Sequence, residues 1–273
     1  MPPNYSNPYS SNHKVQEDGS VTFTCTTDPA AQVWLSLPPH HPVVIQTQAF
    51  WTAVGASVAL EGLEATQWSA LTWLDWTLGD TDHGHAATGV YRRIEIEGNL
   101  GYKIELFNKA GGLIVTVRGR GVVFRNRNFE KWREGSKKEA RKAKAPAEFA
   151  FASREELGLA DNEFPLVGTL APERAVVDAL VTAENGLAPG NPLIGGSGDH
   201  VNSTHIGEVT RQAVRLLTGR KDIILKAGSM TLNRYVELGT PFGLLVNEIS
   251  DTSARFTLEQ LGRECSVITA EFG

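Results

Sequence analysis

The sequence has no surplus of positive charge: 26 Lys and Arg against 31 Asp and Glu give a net charge of −5 over 273 residues. General binding to a phosphate backbone needs a strongly basic face, so nucleic acid is not an expected partner. Cysteine is scarce. Cys25 and Cys265 are the only two, far apart in strand-like segments and outside any CxxC or Cys/His spacing. One disulfide is allowed, but a reduced cytoplasmic protein is the simpler reading. No apolar run reaches the length of a bilayer span. The opening stretch "MPPNYSNPYSSNHKVQEDGS" lacks the basic start and apolar centre of a secretory signal, so residues 1–19 are expected to be a disordered leader. No Walker loop, dinucleotide fingerprint or nucleophile elbow is present, and no cofactor is expected.

What is present is an ordinary globular composition, 41% hydrophobic and 21% charged, with one order of elements used twice. The first half runs from a strand around "SVTFTCTT" through "LPPHHP" into a long apolar helix near residues 43–60. After it come "SALTWLDWTLG", "GVYRRIEIEG", "YKIELFN", the turn "KAGG" and "LIVTVRGRGVVFR". Alternation of period two on both sides of a Gly-containing turn is a hairpin signal. The second half runs from "AVVDALVTAENG" through the Gly/Pro-rich "LAPGNPLIGGSGDH" to a helix near residues 203–217. It closes on several strands and a hairpin turning at Leu261, Gly262 and Arg263.

A single helix followed by enough strands for one curved sheet packs by letting the sheet wrap the helix. The expected fold is therefore α+β, a double hotdog with units at 20–130 and 152–273; two unrelated α+β domains are the alternative. Between them "EKWREGSKKEARKAKAPAE" offers no apolar stripe, so residues 131–151 are expected to be a charged, solvated linker.

The stretch "SGDHVNSTHIGEVTRQAVRLL", residues 197–217, puts ionisable groups among Ile206, Val209, Ala213 and Leu216. Glu208 and Arg211 are three apart and Glu208 and Gln212 four apart, so they share a helical face, with His205 one turn earlier. In a wrapped helix that face looks into a cleft or an interface. The group is then either an intrahelical ion pair that holds the fold or a site where paired charges tune proton transfer.

This stretch, with "LNRYVELGTPFGLLV" and "RFTLEQLGRECSV", resembles the second half of the A-factor synthase-like hotdog family. The family motif DHVxGxxxxEAxRQA matches Asp199, His200, Val201, Glu208, Arg211, Gln212 and Ala213. In the first half His40 and Pro42 fit the family's other helix. There Thr47 stands at the Glu position and Phe50 and Trp51 at the Arg–Gln positions, so one of two polar sites has become apolar. The resemblance implies condensation of a β-ketoacyl thioester, carried on acyl carrier protein or coenzyme A, with a small hydroxylated partner to give a butenolide- or furan-type product. The alternatives are a hotdog dehydratase or thioesterase, or a non-catalytic scaffold that binds acyl chains or their carrier.

On this reading Glu208, Arg211, Gln212 and His200 are the catalytic candidates. Glu208 serves as general base, Arg211 fixes it and holds an anion, and Gln212 orients one of them. Asp199, Ser203, His205, Trp51 and Thr47 are the substrate-binding candidates, and N–H groups at the start of the helix are expected to hold a thioester oxygen. Other features carry less. Asp80, Asp82, His83 and His85 lie on one Gly-rich turn with no third ligand elsewhere, so no metal is expected. Trp68, Trp73 and Trp76 fit packing under the sheet. Arg118, Arg120, Arg125 and Arg127, at alternating positions on a strand, form either a solvated face or a dock for an acidic carrier or phosphate.

Overall fold

Proline has no N–H to leave unpaired and its fixed φ suits the first helical turn, which is where Pro42 stands. His41 before it accepts the Val43 N–H on Nδ1 at 3.2 Å. Together they start α1, Pro42–Ala59. This is seen in a computed structural model that describes residues 9–61, 68–124, 129–143, 149–170, 175–182, 185 and 200–273. The chain divides into two units, Met1–Arg125 and Asn126–Gly273.

In the first unit, β1 (Ser10–Val15), β2 (Val21–Cys25), β3 (Trp68–Leu78), β4 (Thr88–Ile96), β5 (Asn99–Phe107) and β6 (Leu113–Phe124) form antiparallel neighbours in the order β1-β2-β4-β5-β6-β3. Helix α1 packs on β1, β2, β4 and β5. It carries no charged side chain, and Val43 through Ala49, Trp51 and Thr52 are all buried. Its Gly55 lies so close to β1 that a Cβ there would collide with the His13 ring.

That contact corrects the expectation of a disordered leader over residues 1–19. Residues 1–8 lie outside the described set, but β1 pairs with β2 and Tyr9 is 1% exposed. An edge strand draws its stability from main-chain bonds, so its polar sequence gave no apolar pattern to read.

In the second unit the elements are α2 (Phe129–Lys142), α3 (Arg154–Leu157), β7 (Val176–Ala179), β8 (His200–Val201), α4 (Ser203–Thr218), β9 (Leu225–Leu232), β10 (Val236–Glu237), β11 (Phe242–Ile249), β12 (Ser253–Gln260) and β13 (Arg263–Phe272). Strands β9-β13-β12-β11-β7 are antiparallel neighbours, and β8 and β10 form a separate antiparallel pair. Ala254, Phe256 and Leu258 alternate inward on β12. The β12–β13 turn is the two-residue kind in which both centres need positive φ, here Leu261 at 54° and Gly262 at 69°. Gly219 ends α4 with φ at 68°.

The expected linker over 131–151 also differs. Most of it is α2, which lies inside the second unit with Arg133 and Ala140 buried. Among the described side chains of this helix the buried ones are Arg133, paired with Glu237, and Ala140, and hydropathy does not mark an arginine as buried. The pairings given above are antiparallel, which fits an α+β fold. Both cysteines are free, and no described helix is long and apolar enough to cross a membrane.

Candidate active site

Helix α4 begins where the sequence places it. Asn202 caps it: its Oδ1 accepts the N–H groups of Thr204 at 3.0 Å and His205 at 3.3 Å. Two of the N–H groups expected to be open to a thioester oxygen are therefore already taken. His205 returns the contact, accepting the Asn202 N–H on Nδ1 at 3.1 Å, which leaves the ring proton on Nε2. Burial, and then the charge of His200, push the His205 pKa down to about 3. The ring is neutral at physiological pH, and its role in the fold is that of a cap.

One turn further on, Glu208, Arg211 and Gln212 meet as their spacing predicts. Arg211 Nε donates to Glu208 Oε2 at 2.9 Å and Nη2 to Oε1 at 2.6 Å, while Gln212 Nε2 donates to Oε1 at 2.8 Å. A fourth member was not legible in the sequence: Arg211 Nη2 also donates to Glu163 Oε1. Glu163 is 48 residues away in a loop, where its other oxygen accepts the Ala160 N–H at 2.7 Å. Gln212 holds the same loop, accepting the Leu166 N–H at 2.8 Å and donating to the Phe164 carbonyl at 2.9 Å. All four side chains are buried.

Burial alone would lower the Arg211 pKa, but Glu208 and then Glu163 outweigh it and hold the guanidinium above its ordinary value. Arg215, a turn later, donates to the carbonyls of Leu157, Gly158 and Ile223. Its pKa falls to about 10, first through burial and then through Arg211, and it stays charged at neutral pH. Two carboxylates and two guanidinium groups thus balance inside the second unit. Such a cluster brackets α4 to the 163–166 loop, with Glu208 receiving two bonds from Arg211 and one from Gln212.

His200 lies three residues ahead of α4. It is half-buried on β8, directly opposite Glu237 of β10, with its ring edge-on to Tyr235 at 4.7 Å between centroids. Ser203 is half-buried at the first position of α4. Asp199 lies outside the described residues. In the first unit Thr47 and Trp51 are both buried on α1, and Phe50 packs against the Trp51 ring at 5.2 Å.

The remaining candidates resolve plainly. Trp76 is buried, and Trp73 is half-buried with Arg118 and Arg120 over its ring at 5.8 and 6.0 Å. The Trp68 side chain lies outside the described set. Arg118 pairs with Asp75 and Arg120 with Glu97, so this part of the arginine strand is a face of ion pairs; Arg125 and Arg127 lie outside the described residues. His83 pairs with Asp80 at 3.0 Å on an exposed turn, and burial lowers the pKa of His85.

No protein-family model and no curated protein matches the sequence. Solved structures do match the fold. An acyl-ACP thioesterase from Bacteroides thetaiotaomicron is 13% identical, with 93% of this chain and 97% of that one covered and a TM-score of 0.57. The CurJ dehydratase is 8% identical over 98% and 96%, with a TM-score of 0.56. The dehydratase domain of a mycocerosic acid synthase-like PKS is 12% identical over 100% and 97%, with a TM-score of 0.54. At these identities the likeness is one of fold, and the fold this chain shares is that of hotdog thioesterases and dehydratases.

Proposed function

We propose that the chain is a double hotdog, each unit one helix with its antiparallel sheet, and that it hydrolyses acyl thioesters carried on acyl carrier protein or coenzyme A. The observation that carries this reading is His200, a half-buried imidazole on β8 just ahead of a helix whose own ionisable groups are committed to a cap and an ion-pair bracket. Helix α4 holds His205, Glu208, Arg211 and Arg215, whereas α1 has no ionisable side chain from Pro42 to Ala59. Hydrolysis needs one proton acceptor and water, which a single imidazole can serve. The acyl-ACP thioesterase among the structural neighbours supports a carrier-bound substrate. Water replaces the hydroxylated partner that the A-factor resemblance implies; nothing in the neighbours supports a condensation.

In this reading His200 takes a proton from water as its oxygen attacks the thioester carbonyl. The tetrahedral intermediate expels the thiolate, which recovers the proton from His200, leaving a carboxylic acid and a free thiol. Glu208, Arg211, Gln212 and Glu163 hold α4 and its neighbouring loop in place, so the proton-accepting role expected of Glu208 passes to His200. Ser203, at the first position of α4, remains a substrate-binding candidate, as do Asp199 and, in the first unit, Thr47 and Trp51. The test is incubation with short, medium and long acyl thioesters on both carriers, including β-hydroxy and β-oxo chains, followed by mass spectrometry. Free acid and thiol are expected. Loss of water with the thioester intact identifies a dehydratase, and either that result or an unchanged substrate overturns the proposal.

A further inference from the structure

The segment that sequence alone presents as a charged linker reaches the candidate base. Helix α2 buries Arg133, whose Nη2 donates to Glu237 Oε2 at 2.8 Å; the two side chains are 2% and 6% exposed. The same guanidinium lies 4.4 Å from the centroid of the Tyr235 ring, and Tyr235 is the ring against which His200 stands edge-on. Glu237 is the residue paired with His200 in the β8–β10 ladder.

These contacts form a chain from helix to imidazole. β8 is two residues long, and β10 is the strand it pairs with. What fixes β10 therefore bears on the placement of His200. Gln260 anchors the main chain of β10: its Oε1 accepts the Glu237 N–H at 2.7 Å and its Nε2 donates to the carbonyls of Glu237 and Thr240 at 3.0 and 2.9 Å. Arg133 engages the Glu237 side chain of β10 and the ring of the preceding Tyr235 at once. α2 is itself tied down where Thr240 Oγ1 donates to the Ala140 carbonyl at 3.2 Å and Arg263 pairs with Glu139 at 3.1 Å.

We propose that Arg133, stacked on Tyr235 and paired with Glu237, is a positioning residue for His200, so that α2 is part of the catalytic apparatus. This rests on the reading of His200 as the proton acceptor. A guanidinium suits the task because its plane stacks on a ring while its edge donates to a carboxylate; an ammonium keeps the charge and loses the stack.

The test follows the His200 ring protons by NMR, assigned by their loss in His200→Gln, together with thioester hydrolysis. Tyr235→Leu calibrates how far the signal moves when the ring is gone. Arg133→Lys keeps the buried ion pair and is expected to move the signal part of that way, with kcat down about 10-fold and KM unchanged, the mark of a misplaced group. The double variant Arg133→Met/Glu237→Gln removes the pair without stranding either charge, and is expected to move the signal further. If His200 keeps its wild-type shift in both variants, Arg133 is a staple of the fold and the proposal is overturned. Absence of hydrolysis by the wild-type protein overturns the hydrolase reading instead, while the ring-proton shifts still decide whether Arg133 holds His200.

Discussion

Replacing Glu208 with Gln separates the two meanings of the α4 charge cluster. In the native bracket the Glu208 carboxylate accepts two bonds from Arg211 and one from Gln212. A glutamine there turns one acceptor oxygen into an NH2 group facing donors, so at least one buried charge-assisted bond is lost and one donor is left unmatched. Arg211 is not stranded, because Glu163 still pairs with it. The cost is therefore below that of an uncompensated buried charge and comes to about 3 kcal/mol. For a domain of this size that lowers Tm by roughly 6–12 °C. Arg211→Met leaves two buried carboxylates facing each other without their cation, and is expected to cost more, about 5 kcal/mol. The assay is thermal melting and thioester turnover on the same purified variants, with turnover measured well below each Tm. The bracket account expects Glu208→Gln to melt early yet keep turnover within a few-fold of wild type. A loss of about 100-fold or more at an unchanged Tm would refute it and return the general-base role to Glu208.

Further outcomes follow from the same geometry. His205 is buried as the neutral ring, its pKa lowered to about 3. The unfolded chain therefore binds the proton first as pH falls below about 6.5, and the stability His205 contributes is fully present above that pH and is lost on acidification towards 3. Chemical denaturation at pH 7 and pH 5 should differ by about 2 kcal/mol from this residue alone, and His205→Asn should remove that slope; an unchanged slope counts against the buried neutral cap. Trp51→Ala on the ionisable-free α1 should change chain-length preference more than turnover on the best substrate. An equal loss for all chain lengths would remove Trp51 from substrate selection.

The parts legible in the sequence were those whose pattern is local. The helix expected near 43–60 spans Pro42–Ala59 and that near 203–217 spans Ser203–Thr218, because a long apolar run behind His41 and Pro42 marks the first and a cap followed by a helical period marks the second. The hairpin at Leu261 and Gly262 was readable for the same reason. The clustering of Glu208, Arg211 and Gln212 followed from their spacing alone. What escaped was set by contacts distant in sequence. Glu163 joins Arg211 across 48 residues, and nothing in "ADNEFP" marks it as buried. Arg133 meets Glu237 across 104 residues, turning a charge-rich stretch into a packed helix. β1 is held by main-chain pairing that its polar side chains do not advertise.

The central claim, that His200 is the proton acceptor in acyl-thioester hydrolysis, is tested most directly by continuous thiol release from acyl carrier protein and coenzyme A thioesters with the wild-type protein and with His200→Gln. The account predicts thiol release by the wild type and a fall of about 100-fold or more in the variant, measured well below the melting temperature of each protein. Near-native thiol release by a folded His200→Gln protein would contradict it.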